Sequence, residues 1–404
     1  MAFTSPYQGG AGSNIFADNQ AVTIVAAALQ TLREFLPVSV NCQKDFSSAS
    51  SEIGKTFVIQ RQNAISTSVV APNSVVPQDG GRTYDSVNVT FGDTSWQRAS
   101  FTFTPRDNAE LMLGQLVPEC IAEASRSLGK LVEGALYAAA TRKVYGRAGA
   151  YNADPFASNI NQVATLRKVL TKQLCPMENR HLVLGQEEYT SGLQLDDFKK
   201  YINAGDSEAF RQGKLGNLYG FNLHETQVRP LPAISGTMTA GFVTDGASVV
   251  DASTLACTGT CNLLVGDLIT VTEAATGVAY DYVITAATGA ISGTTVTLSV
   301  EPKIQIIHTT GSAITKVGGA TATYFARNLA FQSNAFALIM RIPGMVDGMP
   351  TLGSPAAMQD PVSGIPMKCT IYPGYEQVRV ELSILFAVEC IDPRRAAWLI
   401  GTGL

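Results

Sequence analysis

The sequence predicts an α+β protein of more than one domain, with an all-β module inserted into the α+β part. Four observations carry this prediction. Apolar residues recur at helical spacing across about 107–145, far longer than most globular helices. Apolar and polar residues alternate from Val378 to Cys390, which indicates one long strand with a single buried face. Between them, 227–322 is rich in Thr, Val, Ala, Ile and Gly, which indicates a separate β-rich module. The chain of 404 residues is longer than one hydrophobic core usually sustains, which predicts more than one domain.

The first 54 residues are predicted to form an arm followed by a helix. Residues 1–13 are polar and rich in Gly, which is typical of a mobile arm outside the core. Asp18 can cap a helix that Pro37 should end, because proline cannot continue one. The apolar face of this helix consists of Val22, Val25, Leu29 and Leu32.

Residues 55–104 are predicted to form an extended β-hairpin loop and a further strand. The run 56–60 and the alternating positions 87, 89 and 91 indicate the two strands of the hairpin. The segment 66–85 between them is rich in Ser, Pro, Gly and Asp and has no core pattern, so we expect an irregular tip that projects from the body. A third alternating run follows at Ala99, Phe101 and Phe103.

Residues 105–150 are predicted to hold one long helix. Thr104 suits the N-cap, Pro105 the first helical position and Asp107 the first turn. Pro118 lies inside the apolar repeat, where it removes a hydrogen bond and clashes with the preceding turn. The helix is therefore expected to be kinked there.

The rest of the chain completes the domain organisation. Residues 151–226 and 323–374 are expected to form two parts of one α+β domain, which the all-β module 227–322 interrupts. A helix is predicted at 161–174, with Val163, Leu166, Leu170 and Leu174 on its apolar side, and a buried strand at 181–184. Short strands are predicted in the module at 267–271, 280–285 and 294–300, and the long strand lies in 375–404.

Composition excludes several classes of function. Charged residues make up 15% of the chain and hydrophobic residues 46%, a balance that fits a subunit buried against copies of itself. The net charge is −4 and no run of Lys or Arg is present, so tight nucleic-acid binding is not expected. The apolar run 21–29 is too short to span a bilayer and has no basic residue before it, so we expect neither a signal peptide nor a membrane anchor. Seven scattered cysteines indicate reduced thiols in a cytoplasmic protein.

No residue qualifies as catalytic, cofactor-binding or metal-binding, so we expect no enzyme and no cofactor. The three histidines, His181, His224 and His308, have no metal or protease spacing. Cys257 and Cys261 lack a second pair, and we interpret them as small apolar side chains in a turn of the module, with their pairing left open. The neighbouring carboxylates Asp196 and Asp197 would point to different faces of a helix. The Gly-rich runs 9–12 and 216–220 lack a phosphate-loop context.

The order of elements resembles the major capsid proteins of tailed bacteriophages with the Hong Kong 97 fold. Several segments are similar to the coat-protein family of podoviruses that infect Salmonella, which carries an inserted β domain. They are 104–119 with Pro118, HLVL at 181–184, NLYGF at 217–221, NLAF at 328–331, NAFAL at 334–338 and the closing 394–401. In the terms of that family, 105–150 would be the spine helix, 375–404 the long strand of the peripheral domain, 151–226 and 323–374 the axial domain, and 227–322 the insertion domain.

The resemblance also implies function and partners. It implies a shell protein that assembles with copies of itself into pentamers and hexamers. Such a protein would be made in the bacterial cytoplasm and located in the virion, where the shell encloses double-stranded DNA and contacts it only weakly. Scaffolding and portal proteins would be further partners, and a decoration protein is left open. Some family members form Lys–Asn cross-links, but no motif here supports carrying them over. The alternative is a secreted surface-layer or adhesin-type structural protein, which would share the Thr- and Gly-rich module but need a signal peptide.

Overall fold

A computed structural model describes residues 14–33, 36–44, 56–62, 84–104, 113–195, 215–227, 233–239, 241–321, 324–342, 354–359 and 364–402. The predicted arm at 1–13 therefore lies outside the described residues. The helices of the described part are α1 (Asn14–Arg33), α2 (Pro37–Asn41), α3 (Leu113–Lys143), α4 (Asn161–Lys172) and α5 (Gln186–Gln194). Two short 3₁₀ turns follow at Ser333–Ala335 and Pro393–Arg395.

The described strands fall into four sheets. In chain order they are β1 (Thr56–Gln62), β2 (Tyr84–Thr90), β3 (Trp96–Phe103), β4 (Gly146–Ala148), β5 (Arg180–Leu184), β6 (Asn217–Leu218), β7 (Phe221–Glu225), β8 (Ala233–Ile234), β9 (Thr237–Met238), β10 (Val243–Thr244), β11 (Thr254–Asn262), β12 (Leu268–Thr272), β13 (Ala279–Ile284), β14 (Ile291–Glu301), β15 (Ala313–Lys316), β16 (Tyr324–Gln332), β17 (Phe336–Arg341), β18 (Ser354–Gln359), β19 (Pro366–Gly374), β20 (Gln377–Cys390) and β21 (Ala396–Thr402).

The long strand β20 is the centre of a five-stranded antiparallel sheet. β3 pairs with residues 378–385 of β20 and β17 with residues 385–390, while β19, which β18 follows in the sheet, pairs with residues 377–383. Helices α1 and α3 cover one face, and the predicted apolar series of β20 packs there: Val380, Leu382, Ile384, Phe386 and Cys390. The prediction of a single buried face was wrong in the middle of the strand. Glu381 is also buried, because Arg98 and Arg379 lie over it at 3.4 and 3.6 Å.

Helix α3 is the longest described helix. Its 31 residues span about 46 Å and run without interruption through Pro118. Residues 105–112, which include most of the predicted helix start, lie outside the described part, and the bend at Pro118 stays a prediction. At the other end, Lys143 donates to Glu389 of β20 at 2.7 Å, in the last turn where a cation is favoured by the helix dipole. The helix is thereby joined to the long strand along the core and at its end.

A second sheet is mixed and has the order β4-β21-β16-β5-β7-β6, with β8 beside β16. β5 is buried along its whole length, as its sequence predicted, and α4 and α5 pack around it. The sheet divides the chain differently from the prediction. Of the predicted second part 323–374, β16 belongs here, but β17, β18 and β19 join the long strand. The last strand, β21, leaves the region of the long strand and pairs with β16.

The inserted module is a closed β-barrel. Antiparallel pairing follows β10-β15-β12-β13-β14-β11, and β11 pairs back with β10, while β9 adds to β11. Closure leaves no long unpaired edge in this ring. Strand β11 was not predicted, because Cys257 and Cys261 were assigned to a turn. It is a strand with a bulge at Gly259, whose φ of +140° and close approach to Phe242 favour glycine.

We expect the module 227–322 to fold when it is expressed alone. It has its own apolar core, which includes Phe242, Ile269 and Leu298. Leu268, Val283 and Val317 pack instead into the main core, so the isolated module should be less stable than it is in the whole chain. Circular dichroism should give a β-type spectrum and a cooperative melt. A spectrum of disordered chain would contradict the boundary.

The hairpin β1–β2 is held at its base by apolar packing. Thr56 pairs with Thr90 and Gln62 with Tyr84. The side chains that fix the base against the long-strand sheet are Phe57, Val89, Phe91, Ala337, Ile339 and Ala387. The predicted tip 66–85 was too long by two residues, since Tyr84 and Asp85 belong to β2 and Asp85 accepts from Arg61 at 3.1 Å. The rest of that tip lies outside the described residues.

Two further helix predictions need correction. α1 begins at Asn14, so Asp18 lies inside the helix and does not cap it. Pro37 does not simply end α1 but occupies the first position of α2, where its missing N–H leaves no hydrogen bond unmade. Leu174 lies beyond the end of α4, has φ of +60° and is 86% exposed, so it does not belong to the apolar face.

Candidate functional site

Two of the three histidines meet in the structure. Nδ1 of His181 lies 3.2 Å from Nε2 of His224, which also receives the Asn41 amide at 3.4 Å. Burial, and then the neighbouring His224, lowers the pKa of His181 to about 4, and burial lowers the pKa of His224. Both rings are therefore neutral near pH 7. Sequence spacing could not show this pair, because parallel pairing of β5 with β7 brings together residues 43 positions apart.

The third histidine, His308, is enclosed in the barrel. Its Nε2 lies 2.8 Å from the Tyr282 hydroxyl, and its Nδ1 lies 3.3 Å from Glu273. A hydrogen bond from the Thr309 hydroxyl is the main cause that lowers the pKa of Glu273 to about 2. The Ser312 hydroxyl donates to Glu273 and does not reach the imidazole. A serine–histidine relay needs that contact, so the cluster is a buried hydrogen-bond network of the barrel core.

The remaining candidate residues have structural surroundings where they are described. Cys257 and Cys261 are unpaired and buried in the barrel core, and burial raises the pKa of the Cys257 thiol to about 12. Tyr219 and Gly220 form the two-residue turn between β6 and β7 with φ of 48° and 83°, as a tight hairpin turn requires. Asp196, Asp197 and residues 9–12 lie outside the described residues.

Neither a metal cluster nor a membrane-spanning helix is found in the described parts of the chain. No group of three or more His, Cys, Asp and Glu side chains there lies close enough to hold a metal ion. No helix in those parts is both long enough and apolar enough to cross a bilayer.

A buried carboxylate, Glu133 of α3, holds the start of helix α2. Its Oε1 accepts from Val38 N, Ser39 N and Ser39 Oγ at 3.0–3.1 Å. The residue before α2 is Leu36, which has no side-chain oxygen to cap a helix, so a residue 95 positions away supplies the cap. Burial raises the pKa of Glu133 to about 7, although these hydrogen bonds oppose the rise. No sequence pattern indicates this contact, since a Glu inside a long helix is usually exposed.

Buried cations fix the barrel to the second sheet. Arg327 of β16 donates to the Gly266 carbonyl at 2.8 Å, and its guanidinium lies over the Phe325 and Trp398 rings at 4.9 and 5.9 Å. Lys316 donates to Ser235 at 2.7 Å where the chain enters the barrel. Gly266 also lies so close to Thr141 of α3 that a side chain would not fit. The barrel is therefore packed onto the body and is not joined to it by its two connections alone.

Exposed apolar side chains gather at one end of the barrel. Two loops run side by side there, with Ser248 N donating to His308 O and Asp251 N to Ile304 O, both at 2.9 Å. They expose Val249, Val250 and Ile307 by 70%, 43% and 56%. On the long-strand sheet, Trp96 is 61% exposed. Apolar groups in such positions are typical of surfaces that another protein covers.

No family model matches the chain, and no curated protein matches it significantly. Solved structures with a similar backbone include one of Mycobacterium phage Che8, at 10% identity and a TM-score of 0.49, covering 90% of each chain. The capsid of cyanophage P-SCSP1u is 11% identical with a TM-score of 0.46, covering 88% of this chain and 86% of that one. The mature capsid of bacteriophage PhiM1 is 12% identical with a TM-score of 0.42, covering 86% and 82%. Likeness at this level assigns neither a family nor a function.

Proposed function

We propose that this chain is the major capsid protein of a tailed bacteriophage, a structural protein without catalytic activity. It assembles as pentamers and hexamers into an icosahedral shell that encloses double-stranded DNA. The observation that carries the proposal is one arrangement of elements. A hairpin packs against a body that is built on a 31-residue helix and a 14-residue strand, and a barrel is inserted in the chain between that helix and that strand.

The physical properties of these elements suit a shell subunit. The helix and strand are joined along the main core and by the Lys143–Glu389 ion pair, which gives a stiff plate. The hairpin and the apolar end of the barrel offer separate surfaces to neighbouring copies. A chain with 15% charged residues suits such use, because interface cores are depleted in charge. The inserted barrel further favours the coat-protein type of Salmonella podoviruses within the Hong Kong 97 fold, with scaffolding and portal proteins as assembly partners and the virion as location.

Sedimentation velocity of the purified full-length protein tests this function. A shell protein should give rings of five or six copies or much larger closed particles, whose proportion rises steeply with protein concentration. A single species of one to four copies at every concentration would oppose the proposal.

The charge of the chain leads to a prediction about DNA. With a net charge of −4 and no basic run, the subunit has little to neutralise phosphate groups. Purified subunits should therefore show negligible binding to a duplex at physiological salt in a fluorescence anisotropy titration. A dissociation constant below about 1 μM would mean binding tighter than ordinary non-specific binding and would contradict this prediction.

A further inference from the structure

Two bulky residues at one end of the second sheet have a backbone conformation that such residues rarely adopt. Leu174, in the loop between α4 and β5, has φ of +60°, and Tyr219, in the turn between β6 and β7, has φ of +48°. The loop and the turn lie at the same end of the sheet, because β5 and β7 pair in parallel from Arg180 and Phe221 onward. Left-handed residues other than glycine tend to cluster at functional sites.

Leu174 occupies a position where a helix usually ends on glycine. Cys175 N donates to Leu170 O and Leu174 N to Thr171 O, both at 3.0 Å, which is the Schellman pattern that closes α4. Residue 174 is the left-handed position of this pattern, where a Cβ is unfavourable. At 86% exposed, the leucine recovers almost nothing by burial in its own subunit. Packing within the subunit therefore does not explain this residue.

Tyr219 also departs from the local preference. It is the first residue of a two-residue turn in which both residues have positive φ, and Asn or Asp followed by glycine is preferred in such turns. Tyr219 is 39% exposed, and Met177 in the neighbouring loop is 62% exposed. The three side chains of Leu174, Met177 and Tyr219 define what we call the apolar sheet end. Departures from local rules of this kind are expected at functional surfaces.

A buried arginine holds the loop of the apolar sheet end in one shape. Arg180 is 2% exposed, and its guanidinium donates to the carbonyls of Cys175 and Pro176, both at 2.7 Å. The loop is therefore tied to the first residue of β5. A surface that is fixed in advance loses little conformational entropy when it binds a partner.

The charges at the two ends of the second sheet are complementary. The cations of α4 are all exposed in its last two turns, beside the apolar sheet end: Arg167, Lys168 and Lys172. The loop itself adds one acid, Glu178. At the opposite end of the sheet, Glu225 closes β7 and Glu187 lies in the first turn of α5, and both are exposed. We call this second region the acidic sheet end. Two copies placed head to tail bring the cations of one end to the acids of the other.

We propose that the apolar sheet end docks on the acidic sheet end of a second copy of this chain. Leu174, Met177 and Tyr219 supply the apolar contact, and the cations of α4 beside them face Glu187 and Glu225 of the next copy. A contact between two different surfaces repeats from copy to copy and can close a ring. This inference rests on the proposed function, because it assigns a contact within its five- and six-membered rings.

Sedimentation velocity and thermal melts of the full-length protein test the apolar part of the contact. Leu174→Gly and Tyr219→Asn supply residues that the backbone favours and remove the apolar side chains. Each variant should melt at or above the wild-type temperature. The protein concentration at half-association should nevertheless rise, by about tenfold for Leu174→Gly.

Glu376→Gly is the matched control for the backbone effect. Glu376 has φ of +50° in the exposed turn between β19 and β20, and its side chain is not apolar. Glycine should relieve the same conformation there without removing an apolar contact. The control should therefore leave association as it is in the wild type.

Charge reversal tests the partner surface. Lys172→Glu and Glu225→Lys should each weaken association, because each brings like charges together at the contact. The double variant K172E/E225K keeps the net charge of −4 and restores opposite charges between copies. Its association should return toward that of the wild type.

Weaker association without loss of stability in Leu174→Gly and Tyr219→Asn, together with recovery in the double charge variant, supports the proposal. Wild-type association in the two apolar variants, or weaker association that accompanies a lower melting temperature, overturns it and leaves the proposed function intact. Failure of the double charge variant to recover overturns the assignment of the partner surface. A wild-type protein that stays at one to four copies at every concentration contradicts the proposed function, and this contact with it.

Discussion

Replacing residues 66–82 by a short Gly-Ser turn should give folded subunits that fail to close shells. The described contacts of the hairpin are the packing of Phe57, Val89 and Phe91 against the long-strand sheet and the hydrogen bond from Arg61 to Ile391 O at 3.5 Å, and the variant leaves all of them in place. It also keeps Asp85 and its ion pair with Arg61. Long loops contribute little to the core of their own subunit, so the loss should fall on contacts between subunits.

The measurement combines a thermal melt with electron microscopy, and wild-type protein goes through the same protocol. We expect the melting temperature to stay within a few degrees of the wild type, and closed particles to be absent. Normal closed particles would show that the segment has no part in assembly. Failure of the variant to fold would show that the segment belongs to the core of its own subunit.

Truncation of the two tryptophans of the chain should change the stability of the subunit by very different amounts. Trp398 is 1% exposed, donates its indole N–H to Val144 O at 3.1 Å and lies in the core beneath Arg327. Trp398→Ala removes that packing and leaves the carbonyl of Val144 without this donor. The loss in the free energy of unfolding should be about 3–5 kcal/mol.

Trp96→Ala is the matched control, because this side chain is 61% exposed at the start of β3. Its effect on subunit stability should stay within about 0.5 kcal/mol. Urea denaturation followed by circular dichroism compares the two variants with the wild type. Equal losses in both would contradict the placement of β21 and Trp398 at the centre of the fold.

The elements that were predicted best from the sequence are those in which the spacing of apolar residues matches a single buried surface. The alternation in β20 was visible because α1 and α3 bury a single face of it along most of its length. β5 was recognisable because four adjacent apolar or aromatic residues, 181–184, fill a fully buried strand. The body of α3 followed from its sustained apolar stripe.

Other features depend on contacts between distant residues. Closure of the barrel rests on β10, which is two residues long and carries no detectable pattern. The Cys-Thr-Gly-Thr-Cys run looked like a turn because a bulge at Gly259 interrupts the alternation in β11. The split of 323–374 between two sheets is decided by strand pairing, which local patterns do not encode.

The contacts around α2 were missed for the same reason. Glu133 and Val38 are 95 positions apart, and His181 and His224 are 43 apart. Neither Glu nor His shows from its neighbours in sequence whether it will be buried. Leu36 before Pro37 has no side-chain oxygen, which could at most have indicated that α2 needs an acceptor from elsewhere.

Electron microscopy of the purified full-length protein tests the proposed capsid function most directly. We predict spherical closed shells, or rings of five and six subunits where closure needs a further assembly partner. Flat two-dimensional lattices would favour the surface-layer alternative, and discrete particles of one to four copies at all concentrations would contradict a shell-forming role.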